Sequence, residues 1–253
     1  MSSLETLAEL VRRSHSIVAL TGAGISTESG LPDFRSKAGL WNKIDPMEAA
    51  SLEVFTEDPE RFWDFYEHHL APPPNINPNA AHQALVDLED YGLNSVITQN
   101  VDSLHLRAGS ETVLEVHGSS REIVCPQCQW YAPYASKNFG PDSLPRCPRG
   151  HVMKPDVVLF GEDLPETAFE AMGLCYDADL LIVCGTSLQV FPVASWPLLT
   201  LRKGGKLAIL NHEETPLDEQ ADVVIHAPLG ESLPALVSLL QNPATEASGS
   251  ISG

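Results

Sequence analysis

Gly22-Ala23-Gly24 follows at once on the apolar run Ile17-Val18-Ala19-Leu20. Small residues at a strand end let the backbone turn tightly and bring its N–H groups close to a pyrophosphate. On these three residues alone a plain structural turn is an equal reading. The dehydrogenase fingerprint wants a third glycine where Thr27 stands. It also wants an acid about 20 residues on, at the end of a second strand, and no strand is apparent there. A second group of residues suits a metal. Cys125 and Cys128 form a Cys-x-x-Cys pair, and Cys147 follows after eighteen intervening residues. A ribbon closing a tetrahedral site would carry its fourth cysteine at position 150, but Gly150 stands there with His151 beside it. Three thiolates and one imidazole make an acceptable zinc site, so Cys125, Cys128, Cys147 and His151 are the expected ligands. The competing reading is a module that has lost its metal and holds together by packing.

These residues need a scaffold, and the chain supplies a rhythm for one. Short apolar runs recur at Ile17–Leu20, Ser95–Thr98, Leu180–Cys184, Leu207–Leu210 and Val223–Ile225. They read as parallel strands buried on both faces. Helical spacing lies between them, as at Leu4, Leu7, Leu10, Val11 and at Leu233, Leu236, Val237, Leu240. Alternation of the two predicts an α/β fold, a doubly wound parallel sheet of Rossmann type. The rhythm breaks over about 30–74 and about 121–154, two insertions expected to form a smaller zinc-ribbon-like and helical domain. The core would then comprise about 1–29, 75–120 and 155–241, with 242–253 a disordered tail poor in apolar residues.

Composition narrows the partners. The 253 residues carry 34 acidic against 15 basic side chains, a net charge of -19. Such a field repels phosphate backbones and anionic lipid, so neither nucleic acid nor membrane is expected, and basic protein segments are favoured. The uncharged stretch from Leu180 to Leu201 has the length of a membrane span, but Gly185, Pro192 and Pro197 break it. Five cysteines are an odd number, and the start MSSLETLAELVRR is unlike a secretory signal. A cytoplasmic chain without disulfides is therefore expected.

The glycine turn continues as Gly22-Ala23-Gly24-Ile25-Ser26-Thr27-Glu28-Ser29-Gly30-Leu31-Pro32-Asp33-Phe34-Arg35-Ser36. This resembles the nucleotide-binding signature of the sirtuins, NAD-dependent protein-lysine deacylases. The resemblance runs on in family order through Thr98-Gln99-Asn100-Val101-Asp102-Ser103-Leu104-His105, Val116-His117-Gly118-Ser119, Phe160-Gly161-Glu162, Gly185-Thr186-Ser187-Leu188-Gln189-Val190 and Asn211-His212-Glu213. It implies that acyl groups, chiefly acetyl, pass from lysine to NAD, giving nicotinamide and O-acyl-ADP-ribose. Gly22, Ala23, Gly24, Ile25, Ser26 and Arg35 would then hold the diphosphate and ribose. Asp33, Val101 and Asp102 would lie by the nicotinamide, with Phe34 shielding the reacting face. Asn100 and Gln99 would orient the ribose and a water. Gly185, Thr186, Ser187 and Asn211, His212, Glu213 would meet the phosphates and adenosine at two strand ends.

His117 is the expected acid–base residue, since an imidazole of ordinary pKa near 6.5 can accept a ribose hydroxyl proton at neutral pH. There are nine histidines, and only the Val-His-Gly-Ser context separates this one from surface or core groups. The acyl-peptide is expected between two extended edges, Phe160-Gly161-Glu162 and Leu188-Gln189-Val190. Family members that prefer succinyl or malonyl carry Tyr-x-x-Arg, where this chain has Tyr66 and His69. On an α-helix both would share a face, and an imidazole cannot fork onto a carboxylate, so acetyl is expected to lead. Two other readings stay open on the sequence: ADP-ribosyl transfer to a protein side chain, and a non-catalytic NAD-binding interaction module.

Overall fold

The structure, a computed structural model, describes residues 2–35, 39–134 and 144–242. Beyond Asn242, the tail expected to be disordered lies outside these residues. Helix α1 (Ser3–Arg13) begins on a capping box between Ser2 and Glu5 and leads into β1 (Ile17–Thr21). Short helices α2 (Pro46–Ala49), α3 (Leu52–Glu57) and α4 (Pro59–Phe65) follow, each N-capped by an Asp or Ser side chain. Helix α5 (Ala80–Glu89) starts on Asn79 and returns the chain to β2 (Leu93–Thr98), α6 (Leu104–Ala108) and β3 (Val113–Glu115). Strands β4 (Gly118–Val124), β5 (Tyr131–Pro133) and β6 (Lys154–Val157) come next. The chain ends with α7 (Thr167–Asp177), β7 (Leu180–Cys184), α8 (Pro197–Lys203), β8 (Lys206–Leu210), β9 (Val223–Ile225) and α9 (Leu229–Gln241).

Six strands form one sheet in the order β3-β2-β1-β7-β8-β9, and every pairing is parallel. Alternate side chains serve opposite faces. Ile17, Ala19, Ile182 and Ala208 meet α1, α5 and α9 in one core, while Val18, Leu20, Val183 and Ile209 meet α7 and α8 in the other. This explains the unbroken apolar runs: a strand covered on both sides has no solvent face. Each fully buried Val, Leu or Ile contributes roughly 1.5–3 kcal/mol. The sequence hid β3, whose three residues, Val113-Leu114-Glu115, are too few to register as a run.

A second sheet, β5-β4-β6, is antiparallel. It begins at Gly118, directly after His117, and ends at Val157, so it extends a few residues past the insertion at each end. Its core joins Ile123, Cys125, Cys147 and Met153 to Phe55, Phe62, Trp63 and Tyr66, uniting the two insertions around one aromatic cluster. Among the described residues no helix is long and apolar enough to cross a membrane.

The chain runs outward from β1 to β3, then returns to place β7 on the other flank of β1. That reversal is the topological switch point where open α/β sheets bind ligands. There Gly185 takes φ +63°, and a Cβ on it would collide with the backbone of Gly24 and Ile25. Gly185→Ala should therefore lower stability by about 1–2 kcal/mol or more, read as a reduced denaturant midpoint. An unchanged midpoint would show that the two loops do not rely on this approach.

Candidate functional site

The carboxyl ends of the central strands open into a cleft of about 1480 Å³. A pocket for one small ligand measures ~300–1,000 Å³, so this one has room for more than one. The chain leaves β1 through Gly22 into a 3-10 helix, Ala23–Ser29, which is why the third glycine of the dehydrogenase fingerprint has no counterpart. Gly22 N–H donates to Cys184 O at 3.1 Å and Gly24 N–H to Gly185 O at 2.8 Å. A Cβ on Gly24 would come within 2.8 Å of Gly185 Cα. Gly22, Ala23, Gly24 and Ser26 line the cleft. Ile25 does not: its side chain turns into the sheet core at 1 % exposure.

Polar side chains cross-link these loops. Asn100 Nδ2 donates to Gly22 O at 3.1 Å and to Ser26 Oγ at 3.2 Å. A carbonyl only accepts, so the amide nitrogen faces Gly22 and Oδ1 is left as an acceptor. Ser26 Oγ donates in turn to Asp102 Oδ2 at 2.7 Å, and Leu104 N–H donates to Asp102 Oδ1 at 2.9 Å. The Ser26 hydroxyl is thereby committed to neighbours, so it braces the loop. Burial raises the Asp102 carboxyl above its usual range, against the pull of these donors. Thr186 Oγ1 accepts from Gln99 Nε2 at 3.1 Å and from Leu188 N–H at 3.3 Å, which leaves its own proton to donate. Ser187, Asn211, His212 and Glu213 continue the lining along the same edge.

His117 enters from the residue before β4. Its Nδ1 lies 3.1 Å from Gln99 O, an acceptor only, so Nδ1 carries the proton and the neutral ring keeps a lone pair on Nε2. Burial lowers its pKa from the usual 6.5, partly offset by the bond to Gln99. The imidazole is thus a neutral base at pH 7. A clamp that the sequence did not disclose flanks it: Arg121 forks onto Glu115 at 2.6 and 3.2 Å and donates to Ser103 Oγ at 3.1 Å. Ser103 occupies the left-handed region at φ 60°, and the clamp ties this turn, next to Asp102, to the residues around His117.

At the other wall Phe34 stacks on Trp41 at 5.5 Å, and Trp41 meets Phe160 edge-on at 6.1 Å. Asp33, Phe34 and Arg35 all line the cleft. Burial lowers the Arg35 pKa from its usual value, which still leaves a guanidinium at neutral pH. Trp41 was missed because a lone aromatic in a polar loop carries no periodic signal.

The Phe160 backbone is already engaged, with its N–H on Ala50 O at 3.1 Å and its C=O taking Leu52 N–H at 2.9 Å. The Glu162 carboxylate is engaged as well, accepting Leu159 N–H at 2.8 Å and pairing with Lys154 at 3.1 Å. Among the described residues Gly161 N–H and C=O, Leu188 C=O and Val190 N–H have no backbone partner. These are the groups left for an extended chain to pair with.

Tyr66 and His69 do not share a face. After α4 the chain forms a π-helical turn, Tyr66–Leu70, closed by Ala71 N–H on Tyr66 O at 2.8 Å, and this wider turn changes the angular register. Tyr66 is 1 % exposed, and burial pushes its pKa to about 12. His69 is exposed and lies against Phe65, rings 4.8 Å apart. Both reach the cleft, but they form no paired anion fork.

In the small sheet the ligand atoms of Cys125, Cys128, Cys147 and His151 all lie within 4.8 Å of one another. Cys128 and Cys147 Sγ are 3.7 Å apart, as are Cys125 Sγ and His151 Nδ1. A tetrahedral zinc with Zn–S bonds of ~2.3 Å has S···S edges of roughly 3.8 Å, so the four residues fit the ion. Gly150 lies at φ +84°, a turn conformation that a cysteine resists, and the chain delivers His151 in its stead.

Known proteins agree with this geometry. The family model described as Sir2 family matches residues 22–192. The chain is 45 % identical to an NAD-dependent protein deacetylase of Sulfolobus acidocaldarius over 93 % of this chain and 94 % of the relative. It is 44 % identical to NAD-dependent protein deacylase 1 of Archaeoglobus fulgidus, over 92 % and 96 %. A solved Sir2 variant bound to a deacetylated p53 peptide and 3'-O-acetyl-ADP-ribose superposes with a TM-score of 0.87 at 36 % identity, covering 95 % of this chain and 98 % of that one.

Protein purified without chelator should hold about one zinc per chain. His151→Ala should lose most of it and melt several degrees lower. Under a tenth of an equivalent of zinc in the unaltered protein would assign the module to packing alone.

Proposed function

The chain belongs to the Sir2 family, the sirtuins, and from that membership we infer how its cleft divides the labour of the reaction. The protein is an NAD-consuming enzyme that removes acyl groups from protein lysines. When bound, NAD supplies the ribose carbon that the acyl oxygen attacks and the nicotinamide that leaves, and with one water consumed to release the amine the products are free lysine and O-acyl-ADP-ribose. The residues present suit it: Gly22, Ala23 and Gly24 line the cleft where β1 ends, Thr186 has a spare proton and Arg35 supplies a cation beside them.

His117 carries the reading. With Nδ1 fixed on Gln99 O, its Nε2 is a neutral base able to take a hydroxyl proton in a cleft that also holds Asn100 and Asp102. Asp102 and Asn100 Oδ1 offer acceptors for a carboxamide, and Phe34 with Trp41 screens the reacting face from water. Phe160 sheathes the aliphatic lysine stem. Gly161 and Val190 pair with the peptide main chain, and the acidic surface favours substrates with basic flanks. The parallel sheet is assigned to NAD and the zinc-bearing module to the facing wall, the two together forming one catalytic unit over 1–241. Five free cysteines suit a reducing cytoplasm.

The test is to incubate the protein with NAD and an acetyl-lysine peptide. Nicotinamide, deacylated peptide and O-acetyl-ADP-ribose should appear in equal amounts. Nicotinamide release indifferent to peptide would favour transfer or hydrolysis, and no release would favour a binding module. His117→Ala should lower turnover by ~10²–10⁴-fold with the circular dichroism unchanged; a variant keeping half its activity would remove the base from this position. Because burial disfavours the imidazolium, activity should fall on the acid side with a midpoint below the usual 6.5.

Acyl choice follows from the π-helical turn. With no fork at Tyr66 and His69, a succinyl carboxylate forgoes a charge-assisted hydrogen bond of ~1.5–3 kcal/mol. Acetyl-lysine should therefore exceed succinyl-lysine in kcat/KM by about tenfold or more. The reverse order in a matched peptide pair would overturn this assignment.

A further inference from the structure

Three large apolar side chains stand in solvent along the cleft: Phe169 at 70 % exposure and Met172 at 39 % on α7, and Phe191 at 75 % in the segment after β7. Helix α7 buries Ala168, Ala171 and Cys175 against the sheet. That leaves positions 169, 172 and 176 as an apolar stripe on its outer side. The far end of the stripe is covered, because Lys203 Nζ sits 4.7 Å over the Tyr176 ring. The end nearer the cleft is bare, and neither Phe169 nor Phe191 meets another ring among the described residues. An uncovered apolar patch beside a binding cleft marks a contact surface.

Two observations say what covers it. Phe191 adjoins the substrate edge, since it follows Val190, whose N–H has no backbone partner among the described residues, and Phe169 and Met172 line the same cleft. It is also bracketed by the exposed carboxylates of Asp163, Glu166 and Glu170. We propose that Phe169, Met172 and Phe191 form a specificity subsite for a bulky apolar residue flanking the acyl-lysine, with the neighbouring carboxylates selecting Lys or Arg beside it. The inference rests on the deacylase reading and names a sequence preference within it. The backbone pairing groups at Gly161, Leu188 and Val190 accept any sequence; side chains on the rim supply the discrimination.

The experiment walks Leu, Phe and Ser through each position flanking acetyl-lysine in otherwise identical peptides, using the full chain and its Phe169→Ser and Phe191→Ser variants. One flanking position should favour Leu or Phe over Ser by about five- to tenfold in kcat/KM, expressed in the KM for peptide. The two variants should lose that preference while the KM for NAD stays put. Equal turnover of every flank with deacylation intact would overturn the subsite and leave the deacylase reading standing. No turnover of any acyl-peptide would remove both. A dimer in sedimentation that the same two variants dissociate would give the patch to a second copy of the chain and likewise overturn the proposal.

Discussion

The cleft depends on a contact between two stretches of main chain with nothing between them. β1 and β7 are neighbours in the sheet, and the turns leaving them meet at Gly24 N–H to Gly185 O, 2.8 Å. Side chains would hold these turns apart, since a Cβ on Gly22, Gly24 or Gly185 has no room. The approach brings the Thr186 hydroxyl and the first turn of the Ala23–Ser29 helix to one edge. It also sets Gly22 O where Asn100 can reach it, so the polar network of the cleft is assembled from strand ends far apart in sequence.

From that contact the polar groups acquire their states. Asn100, Ser26 and Asp102 form a chain in which each donated proton has one acceptor, and the orientation of one fixes the next. Gln99 joins the two sides, with its amide on Thr186 and its carbonyl on His117. The tautomer of His117 is thus set by the main chain of a neighbouring strand end, and burial keeps the ring neutral. The zinc-fitting cluster stands apart from this chemistry. Cys125 and Cys147 share the core of Phe62, Trp63 and Tyr66, and the neighbouring Phe65 stacks on Trp41 of the cleft wall.

Much of this was legible because the determinants are local. Five of six parallel strands announced themselves as apolar runs, and the long motif from Gly22 to Arg35 marked one wall of the cleft. His151 could be read as the fourth metal ligand because a ribbon allows few positions for it. What escaped depends on geometry that spacing does not encode. Ile25 sits inside the motif yet faces the core. The π-helical turn after Phe65 separates two residues that an α-helix would pair, and no residue type announces it. Glu115, Arg121 and Ser103 clamp together from three segments, and β3 is too short for any period.

The central claim is that His117 presents an unprotonated Nε2 to the sugar of a dinucleotide lying beside an acyl-lysine. A crystal structure of the protein with NAD and an acetyl-lysine peptide tests it most directly. Nε2 should lie within hydrogen-bond reach of a ribose hydroxyl, ~2.6–3.2 Å, with Nδ1 still on Gln99 O and the carboxamide at Asp102 and Asn100. A dinucleotide bound elsewhere, or an imidazole turned away from the sugar, would contradict it.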